Sequence, residues 1–421
     1  MSELRISLSC GENTEDFCLS LPSGAARNII QASPVPGLAD FGEAVRQALS
    51  DPIASPPLKE LILPGQKVVI IVNDITRRVK SEEYMPVLVE YLNDAGIPDR
   101  DITVLIATGT HRPVTEEELR RLLGSDLVSR LTIRNNIAGE PAEHIYLGTT
   151  SRGTPVKLNR LAVNSDHVIL TGGINFHFLA GFSGGRKSIL PGIASSESIQ
   201  ANHSLVLEAG FNVAQGLLQG NPIAEDMLEA AALIKPTFLL NVVLNEKGLP
   251  AGVFAGHWDK AHRAGCDFAA RCFGIKNPER RPLVIASAGG FPKDINLYQA
   301  AKGLLNAMLA VEEGGTVIFL AECREGIGDD DYYRFAYSGL SQGEKIAILR
   351  REFSIARFIG YLNSLWATKA NIKLISTLPE DKVRAMGMQP CRTLDEAMID
   401  VTASQLENCW VIPHAAVISL V

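Results

Sequence analysis

Between Gly172 and His203 the chain reads GGINFHFLAGFSGGRKSILPGIASSESIQANH, mixing glycines with His177, Arg186, Lys187 and a closing His203. Glycines let backbone N–H groups converge on an anion, and basic side chains among them add charge. The run Gly181-Phe-Ser183-Gly184-Gly185-Arg186-Lys187-Ser188 fits the phosphate-binding pattern G-x-x-x-x-G-K-[ST] except at Arg186. Arg186 stands where a second glycine lets that loop curl round phosphates, which argues against an ordinary NTPase and keeps a phosphate group as an expected guest. His111 lies in a second glycine-containing turn, Gly109-Thr-His111-Arg112-Pro113. Histidine titrates closest to neutrality, so His111 and His177 suit general acid–base work. His203 falls in a predicted helix and suits metal ligation through one ring nitrogen. Lys187 suits a phosphate clamp, a Schiff base or a covalent attachment point, since an adjacent cation such as Arg186 raises the nucleophilicity of an amine. Singly, each histidine is most simply a hydrogen-bonded structural residue. Together, with two of them bracketing one loop, they point to a site. His144, His167, His257, His262 and His414 have no such setting and are read as structural or surface residues.

The elements that must hold these residues form a βα rhythm. QKVVIIV, beginning at Gln66, is a continuous apolar run of the kind found in parallel strands covered on both faces. It is followed by Asp74-Ile-Thr76-Arg77 and a helix predicted from Ser81 to about Gly96. DITVLIAT leads to the His111 turn and to a helix opened by the capping box Thr115-Glu-Glu-Glu118. LTIRNN (131–136) and HVILT (167–171) are read as further strands, the second entering the glycine-rich loop. Parallel sheets gather ligands at the carboxyl ends of their strands. Asp74/Arg77, His111/Arg112 and His177/Lys187 are therefore expected at one sheet edge. A second rhythm starts near Ile275: RPLVIASAGG, a helix, GGTVIFLAE, NIKLIS and CWVIP. Its first helix is predicted to start at Asp294 as N-cap and to bury Leu297, Ala300, Ala301, Leu304, Leu305 and Met308. Tyr298, Gln299 and Lys302 are left on another face.

The motif His177-x-x-Ala-Gly-Phe-Ser-Gly-Gly-x-Lys187-x-x-x-Pro-Gly with Asn202-His203 resembles the signature of the nickel-dependent lactate racemase family. The resemblance extends to D-x-T-R at Asp74–Arg77 and to L-Y-Q-x-x-K at 297–302. It implies a racemase or epimerase that interconverts the configuration at C2 of a 2-hydroxy acid, lactate or a related acid. The hydride would pass to a nickel-pincer nucleotide, a nickel pyridinium-3,5-bisthiocarboxylic acid mononucleotide tethered covalently to Lys187. By that resemblance His111 and His177 are the paired catalytic bases and His203 is the nickel ligand. Asp74, Thr76, Ser183, Gly184 and Gly185 would bind the cofactor with Lys187. Arg77, Tyr298, Gln299, Lys302 and Trp366 would bind substrate, Trp366 without a motif to anchor it. Proteins that make and deliver the cofactor are the implied partners. The alternative is a nucleotide- or phosphate-binding protein without this cofactor, and nickel content with added mass at Lys187 separates the two.

At 421 residues the chain is long for one core. The expectation is an α/β protein of two domains, 1–274 and 275–421, with largely parallel sheets and an active-site cleft between them. Residues 1–23 alternate polar and apolar around GENTED and read as a β-hairpin. A net charge of −7 argues against non-specific binding to nucleic acid or an anionic membrane. Seven cysteines without a C-x-x-C pair fit reduced thiols. With no apolar run near the ~20 residues of a membrane span and an acidic N-terminal stretch, a cytoplasmic location is expected.

Overall fold

In a computed structural model of the chain, β1 (Glu3–Leu8) and β2 (Phe17–Pro22) form the expected antiparallel hairpin, with Leu8 opposite Phe17. The structure describes residues 3–11, 17–22, 28–32, 34–208, 213–245, 247–276, 278–337, 339–416 and 418–420, so most of the GENTED turn lies outside them. The chain divides into two compact units, Pro34–Cys272 and Met1–Ser33 with Phe273–Val421. The hairpin, expected with the first domain, thus belongs to the unit built from the end of the chain. The physical reason is burial: Ile6 and Leu8, two apart on one face of β1, pack with Leu283, Ile285, Ile318 and Val411. Ile30 N–H also donates to Val411 O at 2.8 Å.

The 34–272 unit contains α1 (Phe41–Ser50), β3 (Val68–Asn73), α2 (Ser81–Asp94), β4 (Ile102–Ala107), α3 (Glu116–Arg130), β5 (Thr132–Asn135) and β6 (His167–Gly173). After them come the short pair β7 (Phe176–His177) and β8 (Gly181–Phe182), then α4 (Ser196–Glu208) and α5 (Pro222–Ile234). β9 (Phe238–Leu244), β10 (Pro250–Gly256) and α6 (Lys260–Phe273) close the unit. Its six-stranded sheet runs β10-β9-β6-β3-β4-β5, parallel except for β10. Val68, Ile70 and Val72 of β3 and Ile102, Val104 and Ile106 of β4 join Tyr84, Leu88 and Leu92 of α2 in one core. The intervening Val69, Ile71 and Leu105 are buried on the other face. Two covered faces explain why these strands read as unbroken apolar runs. The predicted capping box is present: Thr115 Oγ1 accepts from Glu118 N–H and Glu118 Oε2 from Thr115 N–H. Asn73 pairs with Ala107, and Ile71 with Leu170, so the segments after β3, β4 and β6 leave from one edge.

In the other unit β11 (Arg281–Ser287), α7 (Leu297–Ala310), β12 (Val311–Leu320), α8 (Ile355–Lys369), β13 (Asn371–Ile375), β14 (Gln389–Cys391) and β15 (Cys409–Ile412) follow in sequence. The sheet order is β14-β13-β12-β11-β15, all parallel. The predicted apolar stripe of α7 is buried at Leu297, Ala300, Ala301, Leu304 and Met308, with Leu305 half-buried. One expectation is corrected: the N-cap is Asn296, whose side chain accepts from Gln299 N–H at 2.9 Å. A cap must reach the third helical amide, and Asp294 lies two residues too early. Its Oδ2 instead accepts from Gly11 N–H at 2.7 Å and Glu322 N–H at 3.1 Å. No helix among the described residues is long and apolar enough to cross a membrane.

Candidate active site

Where β3 ends, Asp74 caps a short turn, and its buried carboxylate Oδ1 accepts from Thr76 N–H at 3.1 Å and Thr76 Oγ1–H at 2.6 Å. Its Oδ2 lies 2.5 Å from His111 Nδ1. Burial works against ionisation of Asp74, but the hydrogen bonds of His111 and Thr76 and the charge of Arg77 hold its carboxyl below the usual range. An ionised carboxylate only accepts, so His111 Nδ1 carries the proton and Nε2 keeps its lone pair. The ring itself is half-exposed.

His177 rests in the opposite tautomer. Its Nδ1 accepts from Leu179 N–H and Ala180 N–H, both at 3.2 Å, so the neutral ring carries its proton on Nε2. The ring is held by the two-residue pairing of His177 with Gly181 and by stacking on Phe178 at 5.2 Å.

Lys187 lies in a short 3-10 turn, Gly185–Ser188, and is buried. Burial first, then the charges of Arg77 and Arg186, pull its pKa well below the ordinary lysine value. A neutral buried amine is a nucleophile suited to forming an amide-like bond. His203 on α4 is also buried, and its Nδ1–H donates to Ile199 O at 2.8 Å. That leaves Nε2 as the nitrogen with metal-ligating character. Burial, Lys187 and Arg77 lower the His203 pKa to about 4, which keeps the ring neutral. Shared electrostatic partners therefore connect His111, Asp74, Arg77, Lys187 and His203 in one cluster. Arg77 remains solvent-accessible.

The glycine-rich loop is less open to anions than its composition implies. Ser183 Oγ–H donates to Gly173 O and its oxygen accepts from Asn175 N–H, both at 2.8 Å. Gly185 N–H donates to Asn241 Oδ1 at 2.9 Å. A Cβ on Gly185 would come within 2.5 Å of His262, at a φ of +53° that disfavours side chains in any case. Two supporting residues were not singled out in the sequence. Asn241 was visible as the one polar residue in FLLNVVL, and it also donates to Gly172 O at 3.1 Å. His262, read as structural or surface, is fully buried and donates from Nε2 to Ser183 O at 2.8 Å.

Burial and Arg186 depress the His262 pKa from 6.5 to about 3. As pH falls through that interval the unfolded chain takes up a proton that the folded chain does not, so stability falls by about 1.4 kcal/mol per pH unit from this group. His262→Gln is expected to flatten the pH dependence of the denaturation midpoint between those pH values. Parallel curves for parent and variant would contradict the assignment.

In the other unit, Tyr298 and Gln299 are half-buried and Lys302 is exposed at the start of α7, where Lys302 Nζ donates to Gln299 Oε1 at 3.0 Å. Tyr298 packs against Tyr332 at 5.7 Å. Trp366 on α8 is buried and shows only 8% of its surface. Among the described residues no three His, Cys, Asp or Glu side chains converge as a metal site.

Residues 13–213 match the family model of the lactate racemase N-terminal domain, and residues 277–419 that of the lactate racemase C-terminal domain. The chain is 34% identical over 383 residues to lactate racemase from Lactiplantibacillus plantarum, a match covering 89% of each chain. It is 38% identical over 295 residues to lactate racemase from Thermoanaerobacterium thermosaccharolyticum, covering 70% of this chain and 68% of the relative. Its structure resembles the lactate racemase apoprotein from T. thermosaccharolyticum with a TM-score of 0.89 at 31% identity, covering 99% of this chain and 100% of that one. A Thermotoga maritima protein, at 20% identity and a TM-score of 0.65, covers 93% of this chain and 100% of its own and shares the fold alone.

Proposed function

The chain belongs to the lactate racemase family, and from that premise we propose that it is an isomerase inverting C2 of lactate or a closely related 2-hydroxy acid. The observation that carries the proposal is the cluster joining a carboxylate-oriented His111 to a buried Lys187, whose pKa burial and the neighbouring arginines pull down, and a buried His203 that donates from Nδ1 to Ile199 O. The residues fit the family's nickel-pincer nucleotide: Lys187 would hold it covalently, His203 Nε2 would ligate nickel, and Asp74, Thr76, Gly184 and Gly185 would line its binding site. Ser183 serves it by fixing the loop. When bound, that group supplies hydride acceptance and return, while the protein supplies orientation and proton movement.

The protein's own part follows from its tautomers. Arg77 binds the substrate carboxylate, which fixes the α-carbon. His111 Nε2 accepts the 2-hydroxyl proton, and Asp74 stabilises the resulting imidazolium. His177 Nε2–H donates a hydrogen bond to the 2-oxo oxygen and polarises it as a neutral imidazole. For the other enantiomer the two histidines exchange roles: His177 carries its proton on Nδ1 instead of Nε2, releasing its two amide donors so that Nε2 can accept the hydroxyl proton, while His111 donates from a protonated Nε2. Tyr298, Gln299, Lys302 and Trp366 are proposed as further substrate contacts.

The test is a screen of D- and L-2-hydroxy acids with protein co-expressed with the enzymes that make the cofactor. L-lactate is expected to become a mixture of both enantiomers, with malate, aromatic acids and aldonates showing how wide the specificity is. Failure on all of these acids by protein that carries nickel and added mass at Lys187 would overturn the proposal.

A further inference from the structure

We infer a second ligand site in the 34–272 unit, a cavity of about 220 Å³ lined by Arg186, Arg263, Gln219, Glu225, Leu218 and Leu228 and suited to a short-chain organic carboxylate. It lies behind the glycine-rich loop, between α5, α6 and the Leu218–Gln219 turn, and is separate from the role proposed above for Lys187.

The charge balance motivates the site. Arg186 is 3% exposed, yet its hydrogen bonds among the described residues are to neutral groups: Nη2–H donates to Ala180 O at 3.2 Å and Nη1–H to His262 Nδ1 at 3.4 Å. Its buried Nε–H has no acceptor among the described residues. Arg186 also makes no ion pair with a carboxylate among the described residues. A buried guanidinium hydrogen-bonded only to neutral groups, with the Asp259 carboxylate acting on it only from beyond ion-pair distance, is costly, and an anion beside it lowers that cost. Arg263 adds a second positive group, paired with Asp259 at 2.8 Å.

The acid on the wall does not cancel this field. Glu225 accepts from Gly220 N–H at 2.7 Å and from Arg152 Nη2–H at 2.6 Å, so both of its oxygens are engaged elsewhere. Leu218 and Leu228 form an apolar side that inorganic phosphate would not use and a hydrocarbon chain would. At a water's share of roughly 30 Å³, the cavity has room for a ligand of a few heavy atoms. Carboxylate toward the arginines and carbon chain toward the leucines is the arrangement that satisfies both halves.

Propionate is the probe, because it lacks the 2-hydroxyl and is not a racemisation substrate. Calorimetric titration of the full chain is expected to show saturable, millimolar binding. Arg263→Glu is expected to weaken it by at least about tenfold, and Leu228→Trp, which fills the cavity, to remove it. Arg77→Ala, which lies in the proposed racemase site, is expected to leave this binding intact, and thermal melts establish that each variant folds. The inference is overturned if wild type shows no saturable binding, if Arg77→Ala abolishes it while Arg263→Glu does not, or if inorganic phosphate competes as well as propionate.

Discussion

His111→Ala is expected to lower turnover by about 10²–10⁴-fold in both directions while the protein still carries nickel and added mass at Lys187. The loss follows from the pair at the end of β3 and β4. Asp74 holds the Nδ1 proton of His111, and only that tautomer leaves Nε2 able to accept a proton from a substrate hydroxyl. Asp74→Asn is the informative companion. An amide at position 74 presents N–H as well as C=O, so the ring is no longer committed to one tautomer. Its loss is expected to approach that of His111→Ala, with the protein still folded. Racemisation kinetics, nickel content and intact mass read these together. Parental activity of His111→Ala in both directions would remove His111 from the mechanism.

Lys187→Met is expected to abolish activity and the added mass while leaving the chain at least as stable as the parent. The two effects have opposite origins. Lys187 is buried beside Arg77 and Arg186, so its amine is costly to protonate and a linear apolar side chain of similar length relieves that cost. The same substitution removes the nucleophile through which a cofactor would be held. Chemical denaturation separates the outcomes, because a merely structural lysine would lose stability and a tethering one would lose only attachment. Residual racemisation with the added mass intact in Lys187→Met would place the attachment elsewhere.

These expectations draw on different depths of information. The parallel strands β3, β4 and β6 were legible because burial on both faces forces continuous apolar runs, and the α3 capping box because its spacing is local. The edge at which Asp74, His111 and the glycine-rich loop meet followed from the same rhythm. The N-cap of α7 was misplaced by two residues because Asp294 and Asn296 are both capable caps, and only the path of the turn selects one. The reach of Ile6 and Leu8 into the unit formed by the chain's end was not legible, since an amphipathic hairpin does not say which sheet covers it.

Residue types and short spacings alone established which groups are available for chemistry: two imidazoles after strands, a lysine in a glycine-rich turn and a third imidazole on a helix. Protonation was decided only by the folded chain. His111 and His177 are the same residue type in similar turns, yet a carboxylate 2.5 Å from one and two amides 3.2 Å from the other give them opposite tautomers. The pKa values of Lys187 and His203 are likewise lowered only through burial and the nearby charge of groups such as Arg77. Those energies arise between groups far apart in sequence, in surroundings from which water has been removed, and no local pattern encodes them.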